Sequence, residues 1–243
     1  MNSVELLRHE IETFEACRAS LGAEAVDKYA LVHGDDVVGL FTSEREAIVE
    51  GRTQFGYVPI LVERVTADGK PNAPQVTVTM LDFGQDPSAG TIHWVQPGGA
   101  LHHFGPVARV SIGVTEIVSE GIERSGGLVP SPVSGNALID TGASFSALDE
   151  NVVSALGLQP VGRLDVAGHS ETITSLRYDT VLMMDDRIPL EVLVTENRLR
   201  RSEGIPVPSY DALIGRDILV GAILTYDGIS GRVSLQFGGS GQM

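Results

Sequence analysis

Between residues 4 and 21, Val4, Leu7, Ile11, Phe14 and Leu21 return close to every 3.6 residues, which predicts a helix with one buried face, Asn2 and Glu5 standing at its start as a cap pair. The pattern then shortens. Tyr29 to His33 and Val37 to Phe41 are β-rich runs joined by Gly34-Asp35-Asp36, a hairpin signature. Ser43 and Glu46 form a capping box for a helix running to about Gln54, and Tyr57 to Val65 returns as a strand. These elements make a small α+β module over residues 1–66. Thr66 to Pro74 is rich in turn formers and poor in apolar residues, so 67–94 reads as a linker with connecting strands.

From Gln75 onward the pattern is one of short β runs: Gln75 to Leu81, Thr91 to Val95, Val107 to Gly113, Ala137 to Ile139, Thr180 to Met184, Leu190 to Val194, Ala222 to Tyr226 and Arg232 to Phe237. Clusters of Gly, Pro, Asp and Ser separate them, and the half is mainly β. Two helices interrupt it, Asp149 to Leu156 and a short one starting at Arg216 or Asp217. Ser119 to Gly135, full of Gly, Ser and Pro, is expected to be an exposed excursion, and 238–243 a disordered tail.

Composition narrows the setting. The chain has 243 residues, 42% hydrophobic and 20% charged, and a net charge of -15, which repels phosphate backbones and anionic lipid. Neither nucleic acid nor membrane is an expected partner. Cys17 is the single cysteine, so no internal disulfide can form, and no apolar stretch approaches a membrane span. Met-Asn-Ser-Val-Glu at the start lacks a basic segment followed by an apolar one, and a cytoplasmic location is expected.

The candidate chemistry sits at Asp140-Thr141-Gly142. A carboxylate between the apolar run Ala137-Leu138-Ile139 and a turn-permitting Gly is held by backbone with little bulk around it. For the tripeptide alone, a turn whose Asp caps backbone groups is the plainer reading. His102-His103 suggests a metal, but adjacent strand residues point to opposite faces and no further ligand stands nearby, so neither metal nor cofactor is expected. Ser131, Ser134 and Ser144 lack a nucleophile elbow, and Arg198, Arg200 and Arg201 read as a solvated loop.

Two separated segments together say more. Ala137 through Ser144 resembles the active-site strand and turn of the retropepsins, the retroviral-type aspartic proteases, and Ala212-Leu213-Ile214-Gly215-Arg216-Asp217-Ile218-Leu219 resembles that family's second signature. The resemblance covers about residues 95–237 and implies a retropepsin-like closed β-barrel, an acid-protease half-lobe with a short helix, preceded by the α+β module. It further implies an aspartic endopeptidase that acts on protein or peptide substrates. Asp140-Thr141-Gly142 occurs once, so the implied carboxylate pair needs an identical chain across a two-fold axis, and a homodimer is expected.

Residue roles follow from the same resemblance. Asp140 would be base on one subunit and acid on the other, Thr141 would tie the two loops together, and Gly142 would admit substrate backbone. Ala143 and Ser144 would lie beside the substrate. Ala at 143 withholds a hydroxyl from the carboxylate, which extends expected activity toward near-neutral pH. Arg163 to Ile173 is expected to form a flap hairpin with Ala167, Gly168 and His169 at its tip, His169 reading more plainly as a solvated turn residue. Leu213, Ile214 and Gly215 would support the Asp140 loop. Arg216 meets Ser144 where the family has an acidic residue, so another partner is expected for it: Asp149, Asp217 or a residue of the other subunit. The alternative is a catalytically weak relative that binds extended peptides and dimerises.

Overall fold

The computed structural model describes residues 3–67, 78–80, 90–167, 172–199 and 209–237. The chain opens with a 3-10 turn, Ser3–Leu7, then α1 (Arg8–Cys17), β1 (Tyr29–His33), β2 (Asp36–Phe41), α2 (Glu44–Phe55) and β3 (Leu61–Arg64). Next come β4 (Val78–Met80), β5 (Thr91–Val95), α3 (Gly98–Phe104), β6 (Val107–Gly113), α4 (Glu116–Arg124), β7 (Val133–Ile139), β8 (Ala147–Asp149) and α5 (Glu150–Leu156). The remainder is β9 (Gly162–Ala167), β10 (Thr172–Met184), β11 (Ile188–Asn197), β12 (Ala212–Ile214), α6 (Arg216–Leu219), β13 (Ala222–Asp227) and β14 (Arg232–Phe237).

These elements fall into two compact units. The first gathers residues 1–75, 115–129 and 158–179; the second holds 76–114, 130–157 and 180–243. In the first unit β1 lies between β2 and β3, both antiparallel to it, and buries Tyr29, Ala30, Leu31 and Val32. Ser43 caps α2 by accepting the Glu46 N–H at 3.2 Å, while the Glu46 carboxylate reaches back to Thr42. Gly51, inside α2, has a packing reason. A Cβ there would stand 2.6 Å from Ile60 Cδ1, so the missing side chain lets α2 seat against the sheet. Tyr57 is also anchored here: its hydroxyl accepts the Gln159 N–H at 3.3 Å, and burial followed by the charge of Asp179 pushes its pKa up to about 12.

The second unit is the mainly β barrel that the sequence leads one to expect. Strand order β11-β8-β12-β7-β6-β10, with β10 paired again to β11, closes six strands on themselves, and β4 adds to β11 from outside. Closure removes free edges and fills the interior with alternate side chains such as Val110, Ile112, Ala137, Ile139, Leu182, Met184, Leu190 and Val192. Three further strands, β13-β14-β5, form a separate antiparallel sheet.

Several expectations are corrected. The stretch from Ser119 to Gly135 is no continuous excursion: 116–124 is α4, burying Val118 and Ile122 one turn apart, and 133–139 is β7. His102 and His103 lie on helix α3, not on a strand, and both face solvent. The first helix is α only over 8–17, flanked by 3-10 turns, and the expected strand 57–65 is regular only over 61–64. The cap residue Asn2, most of the linker and the tail 238–243 lie outside the described residues. No helix among the described residues is long and apolar enough to cross a membrane.

Candidate active site

The site is made by two neighbouring parallel strands. β7 and β12 pair in register, Ala137 with Ala212, Leu138 with Leu213 and Ile139 with Ile214, so their following turns emerge side by side. Asp140 N–H donates to Ile214 O at 2.9 Å, extending the ladder by one residue into the turn. The chain then folds back sharply, the Ala143 N–H donating to Asp140 O at 3.2 Å. Gly142 N–H donates to Asp140 Oδ1 at 2.8 Å, and a Cβ at 142 would come within 3.0 Å of that oxygen. A side chain at 142 would therefore crowd the carboxylate and push it by a few tenths of an ångström. Oδ2 of Asp140 has no hydrogen-bond partner among the described residues, and the side chain is half-buried.

The second turn locks onto the first. Arg216 N–H donates to Ala143 O at 3.0 Å, and its guanidinium donates to Thr141 O at 3.1 Å, Gly142 O at 3.3 Å and Ser144 Oγ at 2.7 Å. Arg216 therefore grips the Asp140 turn from one side with three oxygens. This corrects the expectation of another partner: Ser144 itself takes the place of an acidic residue, and two carbonyls complete the set. Thr141, Gly142 and Ser144 are exposed and Ala143 is half-buried, while the Thr141 hydroxyl has no partner among the described residues.

Behind the turn lies a buried network. Asp217 accepts the Ser146 N–H at 2.8 Å, the Ser146 hydroxyl at 2.7 Å and the Ile218 N–H at 2.9 Å. Ser146 Oγ in turn accepts the Gly215 N–H at 2.9 Å. Both side chains are buried, Ser146 fully. Gly215 has no room for a side chain, since a Cβ would lie 2.6 Å from the Phe145 carbonyl carbon, a backbone atom that cannot yield cheaply. Leu213 is half-buried and Ile214 fully buried behind Asp140. Sequence reasoning missed Ser146 and gave Asp217 a different role. Ser146 carries a weak signal, a polar residue between Phe145 and Ala147 that calls for a hydrogen-bonded buried position, whereas Asp217, between Arg216 and Ile218, carries none.

At the far end of the same strand pair, Asp211 accepts the Asn136 N–H at 2.9 Å and donates its own N–H to Asn136 O at 2.8 Å. Gly135 leaves space for that carboxylate, as a Cβ there would meet Asp211 Oδ2 at 2.4 Å. The register of β7 against β12 is thus pinned at both ends.

Within the segment expected to form a flap, β9 and β10 pair antiparallel from Ala167 with Thr172 to Gly162 with Arg177. Gly168 and His169 lie outside the described residues, and Ala167 is described only as the end of β9. No cluster of three metal-ligating side chains occurs among the described residues. A cleft of about 440 Å³ on the sheet β13-β14-β5, lined by His93, Trp94, Asp227 and Arg232 among others, contains none of the Asp140 turn.

Comparison with known proteins adds solved structures only. The protease of EIAV in complex with an inhibitor matches at 19% identity, over 47% of this chain and 85% of that one, with a TM-score of 0.29. A retropepsin-like aspartic protease from Rickettsia conorii matches at 12% identity, over 62% and 94%, with a TM-score of 0.35. The structural neighbours of this chain thus include retropepsin-like aspartic proteases. The retroviral protease-like domain of Ddi1 from Leishmania major matches at 12% identity, over 50% and 78%, with a TM-score of 0.26. No family model and no curated protein sequence matches the chain.

Proposed function

We propose that the chain is one half of a homodimeric aspartic endopeptidase, with Asp140 of each copy forming a shared carboxylate pair. The observation that carries this reading is the state of Asp140. Its backbone is fixed by β12, one oxygen is held by Gly142 N–H, and the other has no partner among the described residues. A carboxylate so positioned is half of what amide hydrolysis needs. Two carboxylates in hydrogen-bond reach share one proton, because like charges so close do not both ionise; that behaviour is the general one of aspartic proteases.

The chemistry then runs through Asp140 alone. The ionised copy takes a proton from water as its oxygen attacks the substrate carbonyl carbon. The protonated copy gives its proton to the carbonyl oxygen, and a tetrahedral diol forms. Proton transfer to the nitrogen and from a diol hydroxyl then breaks the C–N bond, leaving a carboxylic acid and an amine. Thr141, exposed and with its hydroxyl unpartnered among the described residues, supplies that hydroxyl to the opposing turn, and Arg216 keeps each turn rigid. The hairpin β9–β10 offers backbone groups that clamp an extended peptide by strand addition.

A peptide isostere carrying a hydroxyl where the scissile amide would be tests the reaction type. It resembles the diol and binds far more tightly than the matching substrate, so cleavage of a peptide library should stop at isostere concentrations at least about a hundredfold below the substrate KM. Cleavage that persists at saturating isostere would exclude a carboxylate pair.

A further inference from the structure

We infer that the N-terminal α+β module is the positioning element of the β9–β10 hairpin, holding both of its strands by ion pairs from Glu15, Glu63, Glu44 and Arg52. This rests on the reading of that hairpin as the peptide clamp. Residues 158–179 belong to the same compact unit as residues 1–75.

The grip on the entering strand has a backbone and a charged part. Ile60 N–H donates to Pro160 O at 3.1 Å and Val62 N–H to Val161 O at 2.8 Å, while a Cβ on Gly162 would lie 3.1 Å from Val62 O. One residue on, Arg163 donates to both oxygens of Glu63, at 3.0 and 3.3 Å, and to Glu15 of α1 at 2.8 Å. The returning strand is held separately. Arg177 pairs with Glu44 at the start of α2, and both are buried. Asp179 accepts from Arg52 of α2 at 2.7 Å, and the same guanidinium donates to Val58 O and Gln159 O.

Four ion pairs at one hairpin are poorly explained by stability alone. Taking charges out of water costs about as much as their attraction returns, and apolar side chains of similar volume would hold the layers equally well. What ion pairs add is direction, because a guanidinium fork donates to its carboxylate in few geometries. Arg163, Arg177 and Asp179 each meet a module residue in this way, so the module defines where the two strands lie.

Hydrogen exchange and steady-state kinetics on the full chain decide it, using Arg163→Ala with Arg163→Lys as the charge-keeping control. Arg163→Ala should speed exchange at least tenfold at amides of 162–167 and 172–177 while barrel amides keep wild-type rates, and should raise KM for a peptide at least fivefold with kcat within twofold. Arg163→Lys should fall between. Unchanged stem exchange, acceleration spread evenly through the barrel strands, or local acceleration with unchanged KM would each overturn the inference. Should the wild type cleave nothing, the protease reading fails by itself, and the exchange comparison alone still supports or overturns the hold of the module on the hairpin.

Discussion

Asp140→Asn is expected to lower peptide cleavage by at least about 10⁴-fold while leaving folding and self-association intact. The amide is nearly isosteric and its oxygen can still accept the Gly142 N–H, so the turn keeps its 2.8 Å contact. What it loses is the ability to take a proton from water. The substitution also separates the two readings of the chain. A catalytic pair stops working when its members can no longer take and give a proton, whereas a module that only binds extended peptides keeps its affinity. Cleavage rates on a peptide library, measured beside the mass in solution of each variant, give the comparison; retained cleavage would remove Asp140 from the chemistry.

Asp217→Ala is expected to destabilise the second unit by about 4 kcal/mol, because it strands three buried donors that now share one carboxylate. The consequence extends to Asp140. Ser146 loses the partner that orients its hydroxyl toward Gly215 N–H at 2.9 Å, and the turn carrying Arg216 loses its anchor. Denaturant unfolding should therefore show a lowered midpoint with activity falling alongside it. Asp217→Asn, which keeps the volume and one acceptor oxygen, should lose about half as much. A change below about 1 kcal/mol for the alanine variant would mean that the network does not hold the turn.

The fold was legible where local pattern and global structure agree. Ser43 and Glu46 announced α2, the Gly34-Asp35-Asp36 turn announced the β1–β2 hairpin, and the runs Ala137 to Ile139 and Ala212 to Ile214 announced the strands that carry the candidate site. Failures came where a signal was short or diluted. Helix α4 has nine residues with Gly121 within it, and the Gly-Ser-Pro tract after it lent its loop character to the helix. Pro97-Gly98-Gly99 similarly hid α3, placing the two histidines on a strand by mistake. Contacts over long separations left no local trace. Nothing around Glu63 or Glu44 shows that they meet Arg163 and Arg177, 100 and 133 residues on.

The site was half legible for the same reason. Asp140, Gly142 and Gly215 stand in motifs that the sequence displays. Ser146 and Asp217 act through each other across 71 residues, and each alone looks like an ordinary polar residue near a strand or helix end. Arg216 was identified, but its hold on two carbonyls and Ser144 depends on the fold of the turn and not on any single partner's identity.

Everything in the proposed chemistry depends on two copies of Asp140 meeting, so sedimentation and specific activity should be followed together through a dilution series. A shared pair predicts that activity per chain falls in step with the loss of dimer and that the monomer is inert; a monomer that keeps full activity would contradict it.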